Sequence, residues 1–231
     1  MKNQYTLAVV LLGSMLLVAC GGSSSDDNAE SSTSYEITVV NLTNNQPLSP
    51  VAVIAHASDF SAWAVGSAAS TGLEEMAEGG DNSTLIGAGI DGVDAVGESG
   101  AGPIPPGGSE TFTIETGADT QNRITVASMF VNTNDAFVGL GSVDVSGLSS
   151  GDSITHTAPI YDAGTEANSE AAGTIPGPAD GGEGYNPARD DVDRVFRHAG
   201  VVSADDGLST SVLNESHRFD APGARITITR Q

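Results

Sequence analysis

Three acidic side chains in two short segments carry the clearest chemistry in this chain of 231 residues. Asp162-Ala163-Gly164-Thr165-Glu166 sets two carboxylates on either side of a glycine, directly after the strand-like Ile160-Tyr161. Glycine lets the backbone turn tightly, so both carboxylates can reach one point. Asn132-Thr133-Asn134-Asp135 offers a third acid at the end of an apolar run. A hard cation such as calcium takes roughly six to eight oxygens from carboxylates, carbonyls and water in loops of this kind. Composition supplies a second reading. Against 30 acidic residues stand 8 basic ones, a net charge of −22, and in so acidic a chain carboxylate pairs also arise as solvated loops. The residues alone leave both readings open.

Two other patterns look catalytic and fail on context. Gly87-Ala88-Gly89-Ile90-Asp91-Gly92 fits G-x-G-x-x-G, which binds dinucleotides only where a helix N-terminus follows to hold the pyrophosphate. Here Gly97, Gly100, Gly102 and Pro103 follow, and they read as loop. Gly147-Leu148-Ser149-Ser150-Gly151 fits the nucleophile elbow G-x-S-x-G, which needs a strand-to-helix turn. A strand pattern follows it instead, so a hairpin turn is expected. His56, His156, His198 and His217 have no metal-ligand spacing and read as strand or surface residues. Trp63 is the only tryptophan, so a carboxylate-pair hydrolase of surface polymers lacks an aromatic platform for sugars. That hydrolase stands as the catalytic alternative.

The elements that must hold these residues are mostly strands. Apolar and polar residues alternate with period two at 35–40 and at 110–115, and again in the closing run Ala224–Arg230. Further strand signals lie at 51–56, 123–131, 137–145 and 152–157. One helix is expected at 68–77, where Leu73, Met76 and Ala77 fall at helical spacing, with Gly72 counting against it. Residues 79–108 and 163–187 are rich in glycine and give few strand signals. Strands at both ends of the domain imply that first and last lie side by side. The expectation is an all-β fold, an antiparallel β-sandwich with one short helix and long glycine-rich loops.

The N-terminus has a separate character. Lys2 precedes an apolar segment at 7–18, interrupted by Gly13 and Ser14 and too short for a comfortable membrane span. Its end, Leu17-Val18-Ala19-Cys20, resembles the lipobox of bacterial lipoproteins, and Cys20 is the only cysteine. The resemblance implies a signal peptide at 1–19 and a lipidated Cys20, followed by a polar tether to residue 34. Gly21 after the cysteine, where retention would want aspartate, implies the outer membrane, with the domain facing the periplasm or the cell surface. Loss of 1–19 removes the only lysine and leaves seven arginines against 30 acids. A body so acidic repels nucleic acid and anionic headgroups, so the membrane is a partner only through the lipid. It suits divalent cations or a salty medium, and the latter reading makes the protein a salt-adapted envelope component without a specific ligand.

The segment Ser128-Met129-Phe130-Val131-Asn132-Thr133-Asn134-Asp135-Ala136-Phe137-Val138-Gly139 resembles S-x-M-x-x-P-S-P-D-W-F-V-G of the spondin N-terminal domain, the F-spondin and mindin type. Tyr161-Asp162-Ala163-Gly164-Thr165-Glu166 is similar to that family's Y-D-A-G-T-D, and the closing Ala224–Arg230 to the A-R-I-T-I-T of bacterial relatives. The resemblance covers 35–231. It implies a sandwich of C2-like shape with calcium held by Asp135, Asp162 and Glu166. Two departures stand out: asparagines replace the prolines, which implies a less rigid loop before Asp135, and Glu166 is one methylene longer than the family's acid. Animal members act in the extracellular matrix and in adhesion. The expected function is therefore a non-catalytic, calcium-binding lipoprotein that recognises an extracellular protein or polysaccharide.

Overall fold

Alternation in the sequence becomes alternation in burial. β1 (Thr33–Asn41) turns Tyr35, Ile37 and Val39 inward while Glu36 faces solvent. β4 (Ser109–Thr116) does the same with Phe112 and Ile114, and β10 (Ala224–Arg230) with Ile226 and Ile228. A computed structural model describes residues 32–91, 94–117, 120–189 and 191–231. The expected leader, Cys20 and nearly all of the tether lie outside these residues.

Strands β4, β1, β10 and β7 (Ser153–Ala158) form one sheet in that order. The first and last strands pair as the sequence implies, antiparallel from Tyr35↔Arg230 to Asn41↔Ala224. The second sheet runs β3 (Ala95–Ser99), β2 (Ala52–His56), β5 (Arg123–Met129), β6 (Ala136–Asp144), β8 (Ile160–Asp162), β9 (Phe196–Arg197). Its pairings are antiparallel throughout. Ile37, Phe112, Ile226 and Ile228 of the first sheet meet Val53, Ile124, Val126 and Val138 of the second, which makes the main core. The molecule is an all-β sandwich.

The outer face of the larger sheet is not left to water. Ile54, Ala127, Phe137 and Tyr161 point outward and are covered by Leu73, Met76, Ala77 and Leu85. The first three lie on α1 (Thr71–Gly79), whose start is fixed by the Ser70 hydroxyl accepting from the Leu73 N–H. Leu85 belongs to a second helix, α2 (Ser83–Ile90), so the single helix expected from sequence is one of two. Residues 79–108 thus contain a helix and a strand where loop was expected. Gly87 and Gly89 of the G-x-G-x-x-G pattern sit inside the last turns of α2, not ahead of a helix, so they cannot cradle a phosphate. Gly147 to Gly151 form turns between β6 and β7, but these strands belong to different sheets, so the segment crosses between the sheets and is not the hairpin turn expected.

The two ends of the sandwich differ. β1 enters at Thr33, opposite Thr116, and leaves at Asn41, a path of about 30 Å for nine residues. The β5–β6 connection bearing Asp135 lies at the Asn41 end, tied there by Gln46, whose side-chain amide donates to the Asn132 carbonyl at 3.2 Å.

Candidate functional site

The acids that the sequence singles out are buried. Asp135 sits just before β6 and Asp162 ends β8, and register pairs Ala136 with Asp162, which brings the two carboxylates to the same edge. Both side chains are essentially sealed from solvent, with residue exposures of 0 %. The turn after β8 closes around them. Gly164 has φ +70, and a β-carbon there would lie 2.2 Å from the Arg194 carbonyl oxygen, so only glycine fits. This turn aims backbone donors at the acids. Thr165 N–H and Glu166 N–H donate to Asp135 Oδ2 at 2.9 and 3.2 Å, and Gly164 N–H donates to Asp162 Oδ1 at 2.8 Å. Asp135 Oδ1 has no hydrogen-bond partner.

Burial first, and then the charge of Asp162, push the Asp135 carboxyl up to about 8, against the two backbone donors that favour its ionised form. Asp162 is also raised by burial, although hydrogen bonds from Asn168 and Gly164 pull the other way. Two like charges this close do not both ionise freely, so at neutral pH the pair shares one proton.

Glu166 takes part differently. Its backbone holds Asp135, but its carboxylate turns to Asn134 Nδ2 at 2.8 Å and Arg189 Nη1 at 3.1 Å. Burial pushes it up to about 7 against those two partners. Its Oε2 has no partner. Among the described residues, no group of three or more His, Cys, Asp and Glu side chains is arranged to hold a metal ion as it stands. The structure therefore brings Asp135 and Asp162 together and places the Glu166 carboxylate against Arg189.

Asn132 and Asn134 correct the expectation of a looser loop. Asn132 accepts from Ala179 N–H at 3.0 Å and donates to the Asn45 carbonyl at 3.1 Å. Asn134 Oδ1 accepts from Glu170 N–H at 3.2 Å, and its Nδ2 also donates to Thr174 Oγ1 at 3.0 Å. Thr133 Oγ1 donates to the Phe130 carbonyl at 2.7 Å and accepts from Ala136 N–H at 3.0 Å. All three side chains are buried, so hydrogen bonds fix what proline rings would otherwise restrict.

Four contributors escaped sequence reasoning. His198 Nε2 lies 3.8 Å from Asp162 Oδ2 and 3.1 Å from Asn168 Oδ1. Because its Nδ1 accepts from Gly200 N–H at 2.9 Å, the neutral ring carries its proton on Nε2. Burial lowers this ring to about 4, so it faces the acids uncharged at neutral pH. Asn168 donates to Asp162 Oδ2. Arg189 and Glu78 complete the surroundings, with Arg189 Nη2 3.6 Å from Glu78 Oε2. One signal in the sequence pointed at Glu78: an acid in the last turn of a helix, with no basic residue there, opposes the helix dipole.

The donor set is that of a hard cation site in part. Asp135 Oδ1 is an unsatisfied buried oxygen beside a second buried carboxylate, which fits a divalent cation; the Glu166 carboxylate fits only through its unpartnered Oε2. No curated protein matches the chain. The Spondin_N family model matches residues 41–174, which include Asp135, Asp162 and Glu166, although β9 and β10 of the same two sheets lie beyond it. With more than half of its length covered by that match, the chain belongs to the Spondin_N family.

Proposed function

We propose that the protein is a non-catalytic, calcium-binding envelope lipoprotein whose Spondin_N domain recognises an extracellular protein or polysaccharide. A Spondin_N domain points to an extracellular recognition or adhesion role. The observation that carries the calcium reading is the sealed Asp135–Asp162 carboxyl pair, in which Asp135 Oδ1 receives no N–H or hydroxyl donor. An unpaired buried charge is costly, and a divalent cation would supply the positive charge that lets both acids ionise. Asp135 and Asp162 would hold it. Glu166 supports them through its N–H on Asp135, while its carboxylate is engaged by Asn134 and Arg189.

Position supports the recognition role. The acid-bearing loops lie at the Asn41 end of β1, whereas the chain enters from its tether at the Thr33 end. Anchored through lipid at Cys20 in the outer membrane, the domain would present this pole away from the bilayer. Ordering of the 132–135 and 162–166 loops by calcium would then shape the surface a partner meets.

The test is thermal unfolding of the full chain in detergent with calcium, with magnesium and with chelator, beside Asp162→Ala. Calcium at a hundredfold excess over its Kd stabilises the native state by about 2.7 kcal/mol, a rise of about 5–11 °C for a domain of this size. The rise is expected in calcium, smaller in magnesium, and absent in Asp162→Ala. Coincident curves in all three buffers would refute the calcium site.

A further inference from the structure

Glu78 is fully buried at the C-terminal end of α1, where the helix dipole disfavours an acid. Its Oε2 accepts from Asn186 N–H at 3.0 Å, and its Oε1 has no partner. Across from it stands Glu166, its side chain only 4 % exposed and its Oε2 likewise unpartnered. The two acids meet through one guanidinium. Arg189 lies 3.6 Å from Glu78 and 3.1 Å from Glu166, and the more exposed Glu183 is 3.8 Å away. No other arginine forms an ion pair with these acids among the described residues.

We propose that Glu78 and Glu166 form a buried cation subsite, separate from the Asp135–Asp162 pair, which this chain fills with its own Arg189 and which takes a divalent cation when that guanidinium is removed. The fit of Arg189 is incomplete. Its Nε and Nη1 lack hydrogen-bond partners of good geometry, and each glutamate keeps one unsatisfied oxygen. Two carboxylates against one guanidinium also leave a negative charge over, which a charge of +2 cancels. A polar cavity of about 350 Å³ lined by Glu74, Thr165, Arg189 and Asp193 opens beside the guanidinium and gives a hydrated ion a way in. Arg189 thus acts as a tethered counter-ion for two acids that would otherwise repel each other.

The experiment compares the full chain with Arg189→Gln and with Arg189→Gln/Glu78→Gln. Bound calcium per chain is counted by equilibrium dialysis, and melting is followed in calcium and in chelator. Arg189→Gln is expected to bind one calcium more than the parent. Its melting temperature in chelator is expected to fall by about 6–20 °C, as for a broken buried ion pair, and to recover in calcium. Adding Glu78→Gln is expected to abolish both the extra ion and the recovery. An unchanged count, equal melting in calcium and chelator, an extra ion that survives Glu78→Gln, or an Arg189→Gln chain that does not fold even in calcium would each overturn the proposal. Repeating the count in Asp162→Ala keeps the two sites apart, because loss of calcium at the aspartate pair leaves the ion gained by Arg189→Gln in place.

Discussion

In the absence of calcium, the buried acids should make this protein less stable as pH rises from 6.5 to 8. Linkage sets the sign. Stability changes with pH in proportion to the protons bound by the unfolded chain minus those bound by the native one. Asp135 holds a proton up to about 8 in the native state but loses it near 3.9 when unfolded, so across that range stability falls with pH. Glu166 acts in the same sense up to about 7. His198 opposes both: lowered to about 4, it refuses a proton that the unfolded ring takes up to about 6.5, so it makes stability rise with pH between those values. His56 and His217 are likewise lowered by burial and oppose the acids in the same sense, most strongly below 6.5. Above 6.5 the histidine contribution fades over about one pH unit, and the acids set the sign. One proton over about 1.5 pH units, at about 1.4 kcal/mol per unit, gives a loss of about 2 kcal/mol, or about 4–8 °C in melting temperature. Calorimetry in chelator at half-unit pH steps reads this directly. Saturating calcium should flatten the slope by holding the acids ionised, and Asp135→Asn should flatten it without calcium. A flat profile in chelator, or an undiminished slope in Asp135→Asn, would refute the account of the site.

Three further substitutions probe the scaffold. Asn134→Ala removes the donor to Glu166 and Thr174 and the acceptor for Glu170 N–H, all in a buried setting, and should cost about 3 kcal/mol by urea denaturation. Gly72→Ala and Gly87→Ala should have opposite signs. A β-carbon at Gly72 would lie 2.7 Å from the Leu85 backbone nitrogen and force α1 from α2, costing about 1–3 kcal/mol. At Gly87 it meets nothing within 4 Å, so alanine should stabilise α2 by about 0.5–1 kcal/mol.

The sequence was most legible where one face of a strand is wet. β1, β4 and β10 alternate because they form the sheet whose outer face meets solvent, and their alternation survives in the burial pattern. β2 is buried on both faces, so Ala52 to Ala55 read as an unbroken apolar run before His56. The helix α2 was missed because Ser83-Thr84-Leu85-Ile86-Gly87-Ala88-Gly89-Ile90 has two glycines and little propensity; packing of Leu85 and Gly89 against α1 and Ile54 makes it a helix. In the site, Asp135 and Asp162 were legible because each abuts a recognisable strand, whose pairing fixes where its end lies. Arg189 and His198 were not. They reach the acids from a segment without alternation, and Arg189 meets Glu78 across more than a hundred residues of chain, a distance over which no local pattern carries register.

The distribution of buried charge bears on whether acidity alone explains the protein. A surface adapted to salt keeps its carboxylates in water, where screening is effective. Among the described residues five acids are buried: Glu78, Asp135, Asp162, Glu166 and Glu170. They are not scattered. Asp135 accepts from Glu166 N–H, Glu166 shares Arg189 with Glu78, and Asn134 joins Glu166 to Glu170. Each ionised carboxylate withdrawn from water costs several kcal/mol unless a partner offsets it, and four of the five keep an oxygen with none. Solubility is served by the exposed acids elsewhere and gains nothing from these. Their concentration at the Asn41 end is what the proposed cation would account for, and a general salt requirement would leave it without a cause.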